Sequence, residues 1–280
     1  YTLDSFSVTD ANTNAITVTN GAFTMPESNV TVSATFKVSR VEATGKIGKY
    51  ENPYLVGDIV FSDGSATPYA DGLTLTEEQK TAAIAVIFYV GTDCSNDSTS
   101  RTLGVGLAQN QSGLAWCTQS ANAYNKNITT IQCPASGSAG SLTFTGDKDG
   151  SDNFEHIGAF LTANNSTDDT ATEANYPAFY YAKNYASQTG SHVASTDYAS
   201  DWYLPSIAEL FQVWKSRETV NAAIEACGGT KFILSYYYWS SSQYASYDSY
   251  ACLLDFGSGD WNNDYKGITF IYVCAVRAFN

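Results

Sequence analysis

His156 and His192 are the only two imidazoles in 280 residues, and both stand among polar neighbours. Acid–base or nucleophilic chemistry near neutral pH would place one of them beside a serine or cysteine and an orienting carboxylate. Neither a Gly-x-Ser-x-Gly turn nor a His-Glu-x-x-His helix accompanies them, so they read as isolated surface side chains and no catalytic residue is assigned. The segment Asp147-Lys-Asp149-Gly-Ser-Asp152-Asn-Phe-Glu155 gathers the oxygen ligands that a hard cation such as calcium takes. Its glycine comes fourth rather than sixth and its glutamate comes too early for an EF-hand. It therefore reads as a solvated loop held by Asx-turns, and no metal site is assigned at Asp147, Asp149 or Asp152. Cys94, Cys117, Cys133, Cys227, Cys252 and Cys274 show no CxxC spacing, which removes the common zinc signatures. That spacing selects neither a disulfide pairing nor the alternative of small buried hydrophobes.

The chemistry-bearing residues concentrate near the C-terminus. Tyr236, Tyr237, Tyr238, Tyr244, Tyr247, Tyr250 and Tyr265 lie with Trp239 and Trp261 within 30 residues, mixed with Ser, Asp and Asn. Tyrosine gives a large contact area at low conformational cost, and Ser, Gly and Asn adapt their hydrogen bonds, which is the mixture found in antibody paratopes. Such a surface suits a protein ligand better than a small molecule in a deep pocket. Tyr238 and Trp239, at a strand start, are expected in the core, and the turn-flanked Tyr247 and Tyr265 at the surface.

Composition narrows the function classes. Acidic side chains outnumber basic ones 28 to 14, and the formal charge of -14 would repel phosphate backbones and anionic lipid, which excludes a nucleic-acid partner. Charged residues at 15% and aromatics at 14% describe a folded chain, neither an acidic disordered tail nor a Lys- and Glu-rich helical bundle. The longest apolar run, Ala82 to Val90, is far shorter than the roughly 20 residues of a membrane-spanning helix, so no transmembrane segment is expected. The chain begins at Tyr1 without an initiator Met or a signal sequence and reads as a mature or shortened form. Abundant Tyr, Ser, Thr, Asn and Gly suit a secreted or surface protein.

The elements that would position the tail form an α+β pattern. Ile16, Val18 and then Val30, Val32, Ala34 and Phe36 fall at period two, which predicts half-buried strands separated by turns at Asn20-Gly21 and Met25-Pro26. Thr76-Glu-Glu-Gln79 and Ser206-Ile-Ala-Glu209 are capping boxes and predict helix starts, the first running into a buried strand at Ile84 to Val90. A further helix is expected over about Thr219 to Cys227, stopped by Gly228-Gly229. Long surface loops are expected from Gly137 to Thr170, strands at Leu253 to Phe256 and Ile268 to Val276, and turns from Gly257 to Asp264. Leu253, Phe256, Val273, Ala275 and Val276 should then form the buried face of the tail. The polar and tyrosine positions from Tyr244 to Asp264 should share one exposed side.

The segment from Ile16 to Phe36 resembles the last part of the β-repeats of bacterial surface proteins, including the internalin-type repeat, which implies a cell-envelope stalk fragment over residues 1–40. Trp202-Tyr-Leu-Pro-Ser-Ile-Ala-Glu-Leu210, Tyr238-Trp-Ser-Ser-Ser-Gln-Tyr-Ala-Ser246 and Val273-Cys-Ala-Val-Arg-Ala-Phe279 resemble successive motifs of bacterial lipoproteins with a C-type-lectin-like domain of the formylglycine-generating-enzyme type. Gly57-Asp-Ile-Val-Phe-Ser-Asp-Gly64 and Arg101-Thr-Leu-Gly-Val-Gly-Leu107 fit the same family, so the resemblance spans most of residues 41–280, with a variable region at about 236–280. Within that family the chain is similar to the variable proteins of treponemal diversity-generating retroelements. The resemblance implies a C-type-lectin-like fold, a lipid anchor upstream of residue 1, an extracellular place on the outer membrane and no cofactor. The ligand it implies is a protein or a glycan.

Adenine-directed mutagenesis in such systems does not reach codons for Gln, Lys or Trp. The resemblance therefore implies that Gln243, Trp261 and Lys266 are fixed framework. The reachable set, and thus the candidate ligand-binding set, is Tyr244, Tyr247, Asp248, Ser249, Tyr250, Ser258, Asp260, Asn262, Asn263, Asp264, Tyr265, Gly267 and Thr269. The run Trp261-Asn-Asn-Asp264 resembles the Trp-Asn-Asp calcium motif of sugar-binding C-type lectins but carries an extra Asn and no upstream Glu-Pro-Asn partner. The family fold also houses an oxidase with a cysteine pair. The two tail cysteines here, Cys252 and Cys274, do not form the short pair of that site, so no enzyme activity is expected.

Overall fold

A computed structural model of the chain describes residues 2–19, 21–37 and 39–279. These fall into two compact units, Tyr1–Glu42 and Ala43–Asn280. In the first, β1 (Thr2–Asp10) pairs antiparallel with β2 (Val30–Lys37), with a register shift between Leu3 and Ser5. The period-two run from Val30 forms its strand. Ile16 and Val18 lie outside any strand, and Val32 and Phe36 are exposed, because a two-stranded ribbon has little against which to bury a face. Asn20 of the expected turn, and Asn280 at the end of the tail, lie outside the described residues.

The second unit is α+β with antiparallel sheets. It begins with β3 (Asp58–Phe61) and β4 (Ala66–Pro68), followed by α1 (Glu77–Ala82), β5 (Ala83–Gly91) and β6 (Arg101–Gly106). A hairpin of β7 (Ala135–Ser138) and β8 (Ser141–Phe144) precedes α2 (Asn153–Ala163), α3 (Pro177–Lys183), α4 (Ile207–Lys215) and α5 (Arg217–Ala226). The tail then supplies β9 (Tyr237–Gln243), β10 (Tyr250–Asp255), β11 (Asp260–Tyr265) and β12 (Val276–Ala278). One sheet has the order β12-β6-β5-β3-β4 and another the order β11-β10-β9.

Both expected capping boxes are present: Thr76 with Gln79 starts α1, and Ser206 with Glu209 starts α4. The unbroken apolar text of β5 has a physical reason, since Val86 and Phe88 enter one hydrophobic cluster, with Leu210 and Val220 of the helices, while Ile84 and Ile87 enter a second, with Trp116 and Phe179. A strand buried on both faces has no polar side to alternate with. The same two clusters receive the tail: Tyr238 and Leu254 point into the first, Trp239 and Leu253 into the second. Helix α5 ends at Ala226 and is closed by Gly228 at φ +77°.

Three expectations are corrected. The stretch 137–170 is not one long loop, since it carries β8 and α2. Helix α2 buries Ile157 and Leu161 although Asp152 gives it no side-chain cap. Residues 260–265 are not a turn: a tight turn ends at Gly259 and the polar run becomes β11, recruited by antiparallel pairing to β10. Ile268 to Val276 is mostly not a strand. It is buried from Ile271 onward, but its backbone is shared among separate partners, with Tyr272 bonded to Tyr237 and Trp239 and Val273 to Asn110, so no continuous ladder forms before Val276.

Candidate ligand-binding surface

The surface rests on a frame that begins with the three serines of β9. Ser240 is 0% exposed, and its hydroxyl donates to the Cys252 carbonyl at 2.7 Å. The Ser241 hydroxyl accepts from the Asn153 amide at 2.8 Å, and that of Ser242 accepts from the Ile207 N–H at 3.0 Å. Each buried hydroxyl thus has a partner, as interior polar groups require. Lys266 is also 0% exposed and lies over the Trp116 ring, with its ammonium 2.9 Å from the Ala123 carbonyl and 3.3 Å from Gln243 Oε1. Gln243 accepts from Ile128 N–H and donates to the Lys126 carbonyl. Burial lowers the Lys266 ammonium to about 8, because its charged form gives up hydration for a few carbonyl dipoles.

Above this frame an aromatic stripe runs across three segments. Trp261 meets Tyr244 at 5.8 Å between ring centroids, Tyr244 meets Tyr247 at 5.9 Å, Tyr247 meets Tyr250 at 5.4 Å and Tyr250 meets Tyr265 at 4.3 Å. Tyr247 is 61% exposed and Tyr265 48%, as their turn-flanked positions predict, whereas Tyr238 and Trp239 are fully buried. The hydrogen bond with Tyr265 pushes the Tyr250 phenol up to about 12. The loop carrying Asp248 and Ser249 is tied to the end of β11 by the Lys266 N–H, which donates to the Ser249 carbonyl at 2.9 Å. Tyr236 and Tyr237 lie apart from this path, at the start of β9, where Tyr236 stacks on Tyr272.

None of the thirteen candidate positions is buried. Tyr247, Asp248, Ser258, Asp260, Asn262, Tyr265 and Thr269 are exposed, and Tyr244, Ser249, Tyr250, Asn263, Asp264 and Gly267 are half-buried. Of the implied framework residues, Gln243 and Lys266 are buried and Trp261 is half-buried at the edge of the first cluster. The candidates do not all share one side. Strand alternation puts Asn263 and Tyr265 with Trp261 on one face of β11 and Asp260, Asn262 and Asp264 on the other. Both faces carry accessible side chains, Tyr265 on the first and Asp260 and Asn262 on the second being exposed. Two of its outward amides are already bonded to side chains: Asn263 N–H donates to the Asn262 side chain at 2.8 Å and Tyr265 N–H to that of Asp264 at 2.7 Å. Ser258 sits in the turn before β11, where Gly259 has φ +71° and a Cβ would collide with the Trp214 ring.

The other chemistry-bearing residues are distributed elsewhere. Asp147 is buried rather than solvated, accepting from the Asn96 amide at 2.6 Å, and burial raises its carboxyl to about 6. Asp149 pairs with Arg101 at 2.7 Å, and Asp152, exposed, lies 3.6 Å from His156. His192 bonds the Ala83 carbonyl. Among the described residues no group of three or more His, Cys, Asp or Glu side chains converges to hold a metal. All six cysteines are unpaired and buried, and burial pushes the Cys252 thiol up to about 12 and Cys274 higher still.

One buried cluster has no signature in the local sequence. Arg101 donates to Glu209 at 2.8 Å and to the Tyr203 hydroxyl at 2.9 Å, and Tyr203 in turn donates to Glu209 at 2.7 Å. Only the capping role of Glu209 is visible in local text, since Arg101 lies 108 positions away. A 530 Å³ cleft lined by Phe154, Phe179, Lys183 and Trp202 lies apart from every candidate residue. Among the described residues no helix is long and apolar enough to cross a membrane.

No protein family matches the chain, and neither does any curated protein. Among solved structures its fold is similar to that of a fimbrial protein from Bacteroides ovatus, with a TM-score of 0.50, 13% identity and 98% of this chain covered. The chain spans 63% of that protein's chain. At such identity the likeness is one of fold alone.

Proposed function

We propose that this chain is a surface-displayed binding protein whose C-terminal stretch, carried on a C-type-lectin-like fold of the formylglycine-generating-enzyme type, is diversified by a retroelement. Its ligand is a protein, with a glycan as the other class. The protein it resembles in this reading is the treponemal variable protein TvpA, and its place is the extracellular face of the outer membrane as a lipoprotein. The observation that carries the reading is the five-ring stripe, four of whose rings are among the thirteen candidate positions, none of them buried, next to a buried Gln243 and Lys266. Tyrosines held side by side at the surface offer contact area with little ordering cost. The buried thiols support binding over catalysis.

Two experiments test it. Sequencing the tail-coding segment across a population of the source organism should find substitutions concentrated at the thirteen positions, and an invariant segment, or one varying equally at Gln243, Trp261 and Lys266, contradicts diversification. On an array of purified surface proteins and glycans, Tyr247→Ala with Tyr265→Ala should abolish the signals given by the unaltered protein; unchanged signals contradict binding through the stripe.

A second reading, a structural envelope subunit whose tail packs permanently against a neighbour, takes its motive from the fimbrial protein that shares the fold. Sedimentation separates the two: a monomer at micromolar concentration supports the binder, and a concentration-dependent polymer supports the subunit.

A further inference from the structure

The surroundings of the stripe specify the chemistry of its partner, an inference that rests on the stripe being a binding surface. At one end Tyr244 and Trp261 form part of the rim of a 210 Å³ cavity whose wall includes Cys133, Pro134, Ala135 and Cys252. No charged residue lines it. At roughly 30 Å³ per water it holds about seven waters, which is room for one aliphatic or aromatic side chain. An uncharged pocket framed by aromatic rings, once a partner's side chain displaces its water, is where interface energy concentrates.

The charges beside the stripe are of one sign. Residues 236–276 contain four carboxylates, Asp248, Asp255, Asp260 and Asp264, and a single cation, Lys266, which is 0% exposed. Among the described residues none of the four takes part in an ion pair. Asp255 and Asp260 stand directly opposite each other in the β10–β11 ladder, where like charges destabilise a sheet. Asp248 follows Tyr247, the most exposed ring of the stripe; Asp264 lies on the other face of β11 from Tyr265, yet its charge still acts on the Tyr250 phenol, and aromatic faces themselves attract cations. Backbone pairing along β11 is obstructed, since its Asn263 and Tyr265 amides are already bonded to side chains.

We propose that the stripe recognises a protein surface presenting one apolar side chain, seated in the cavity between Tyr244 and Trp261, flanked by lysine or arginine side chains that lie against the tyrosines and the unpaired carboxylates.

The probe is a fluorescein-labelled peptide with a central leucine flanked on each side by lysine and arginine, compared by anisotropy with its leucine-to-serine and its all-glutamate counterparts. The basic leucine peptide should bind at least about tenfold more tightly than either. Asp248→Asn with Asp264→Asn should weaken it by about five- to tenfold, while Glu77→Gln with Glu78→Gln, on exposed α1, should change it by less than about twofold. Filling the cavity by Ala245→Trp, or by Ala135→Phe where the first variant unfolds, should abolish the preference for leucine over serine. Equal loss from the α1 control, equal binding of the serine peptide, or no binding of the basic peptide at about millimolar concentration overturns the proposal. If the glutamate peptide binds best and Tyr247→Ala with Tyr265→Ala releases it, the cationic partner is wrong and the binding surface stands. Binding of every peptide that is indifferent to those tyrosine changes removes the binding surface as well.

Discussion

The second unit holds two groups of carboxylates and treats them in opposite ways. Inside, Glu209 is 0% exposed and accepts from Arg101, from Tyr203 and, through its other oxygen, from the N–H groups of Ser206 and Gly150. Along the tail, Asp248, Asp260 and Asp264 keep contact with water and have no ion-pair partner among the described residues. Burial forces the first arrangement, because a charge removed from water must be paired or it neutralises. Solvation permits the second, so the fold does not depend on pairing those charges. Positions that the fold does not need are the positions a binding surface is free to change.

The largest effect that would break this contrast comes from Arg101→Met, which leaves Glu209 buried without its cation and removes the ion-pair partner of Asp149. Urea unfolding should show a loss of about 3–5 kcal/mol. A loss under about 1 kcal/mol would mean that the buried group matters no more to the fold than the exposed one. Next, Leu253→Ala removes a side chain 2% exposed in the second cluster and should cost about 2–5 kcal/mol by the same measurement. Its ladder partner on β11, Asn262, is exposed, and Asn262→Ala should cost less than about 0.5 kcal/mol. Those two residues face each other across one ladder, so similar costs would erase the boundary between frame and surface.

Lys266 sharpens the comparison through pH. Its folded-state value, about 8, lies below the ordinary 10.5, so between those limits the unfolded chain binds more protons and stability rises with pH. The contribution has a slope of at most about 1.4 kcal/mol per pH unit. Lys266→Met should flatten the melting-temperature profile above pH 8 relative to the unaltered protein. An unchanged profile would show that the ammonium is hydrated rather than buried. The smallest effect belongs to Tyr247→Ala and Tyr265→Ala, each expected to shift stability by less than about 0.5 kcal/mol in thermal unfolding, and a larger loss from both would place these rings in the core.

What the chain discloses before folding follows the range of the interactions involved. Both capping boxes and the apolar run of β5 are local or nearly local and are legible as text. Asp260-Trp-Asn-Asn-Asp-Tyr265 has turn composition, and it is a strand only because β10 offers a ladder, a circumstance outside any local window. Helix α2 hides in a Gly- and Asn-rich stretch, although the spacing of Phe154, Ile157 and Leu161 carries a helical signal. Burial at Val273 and Ala275 was legible, while the absence of a continuous ladder there was not, because its partners come from β9 and from Asn110. In the candidate site the residue types were legible and the path of rings was not. The expectation of a single shared side failed on β11, whose alternation is invisible to a reading that takes 257–264 as a turn.

Separation of frame from surface is tested most directly by saturating residues 243–269 one position at a time and sorting the displayed protein by protease resistance. Most substitutions at the thirteen candidate positions should survive, with Gly267 the most restricted because a Cβ there would lie 3.4 Å from both Gln119 and Tyr124. Most substitutions at the buried Gln243, Leu253, Leu254 and Phe256 should be lost. Equal tolerance across both groups, or widespread loss at Asp248, Asn262 and Tyr265, would contradict that separation.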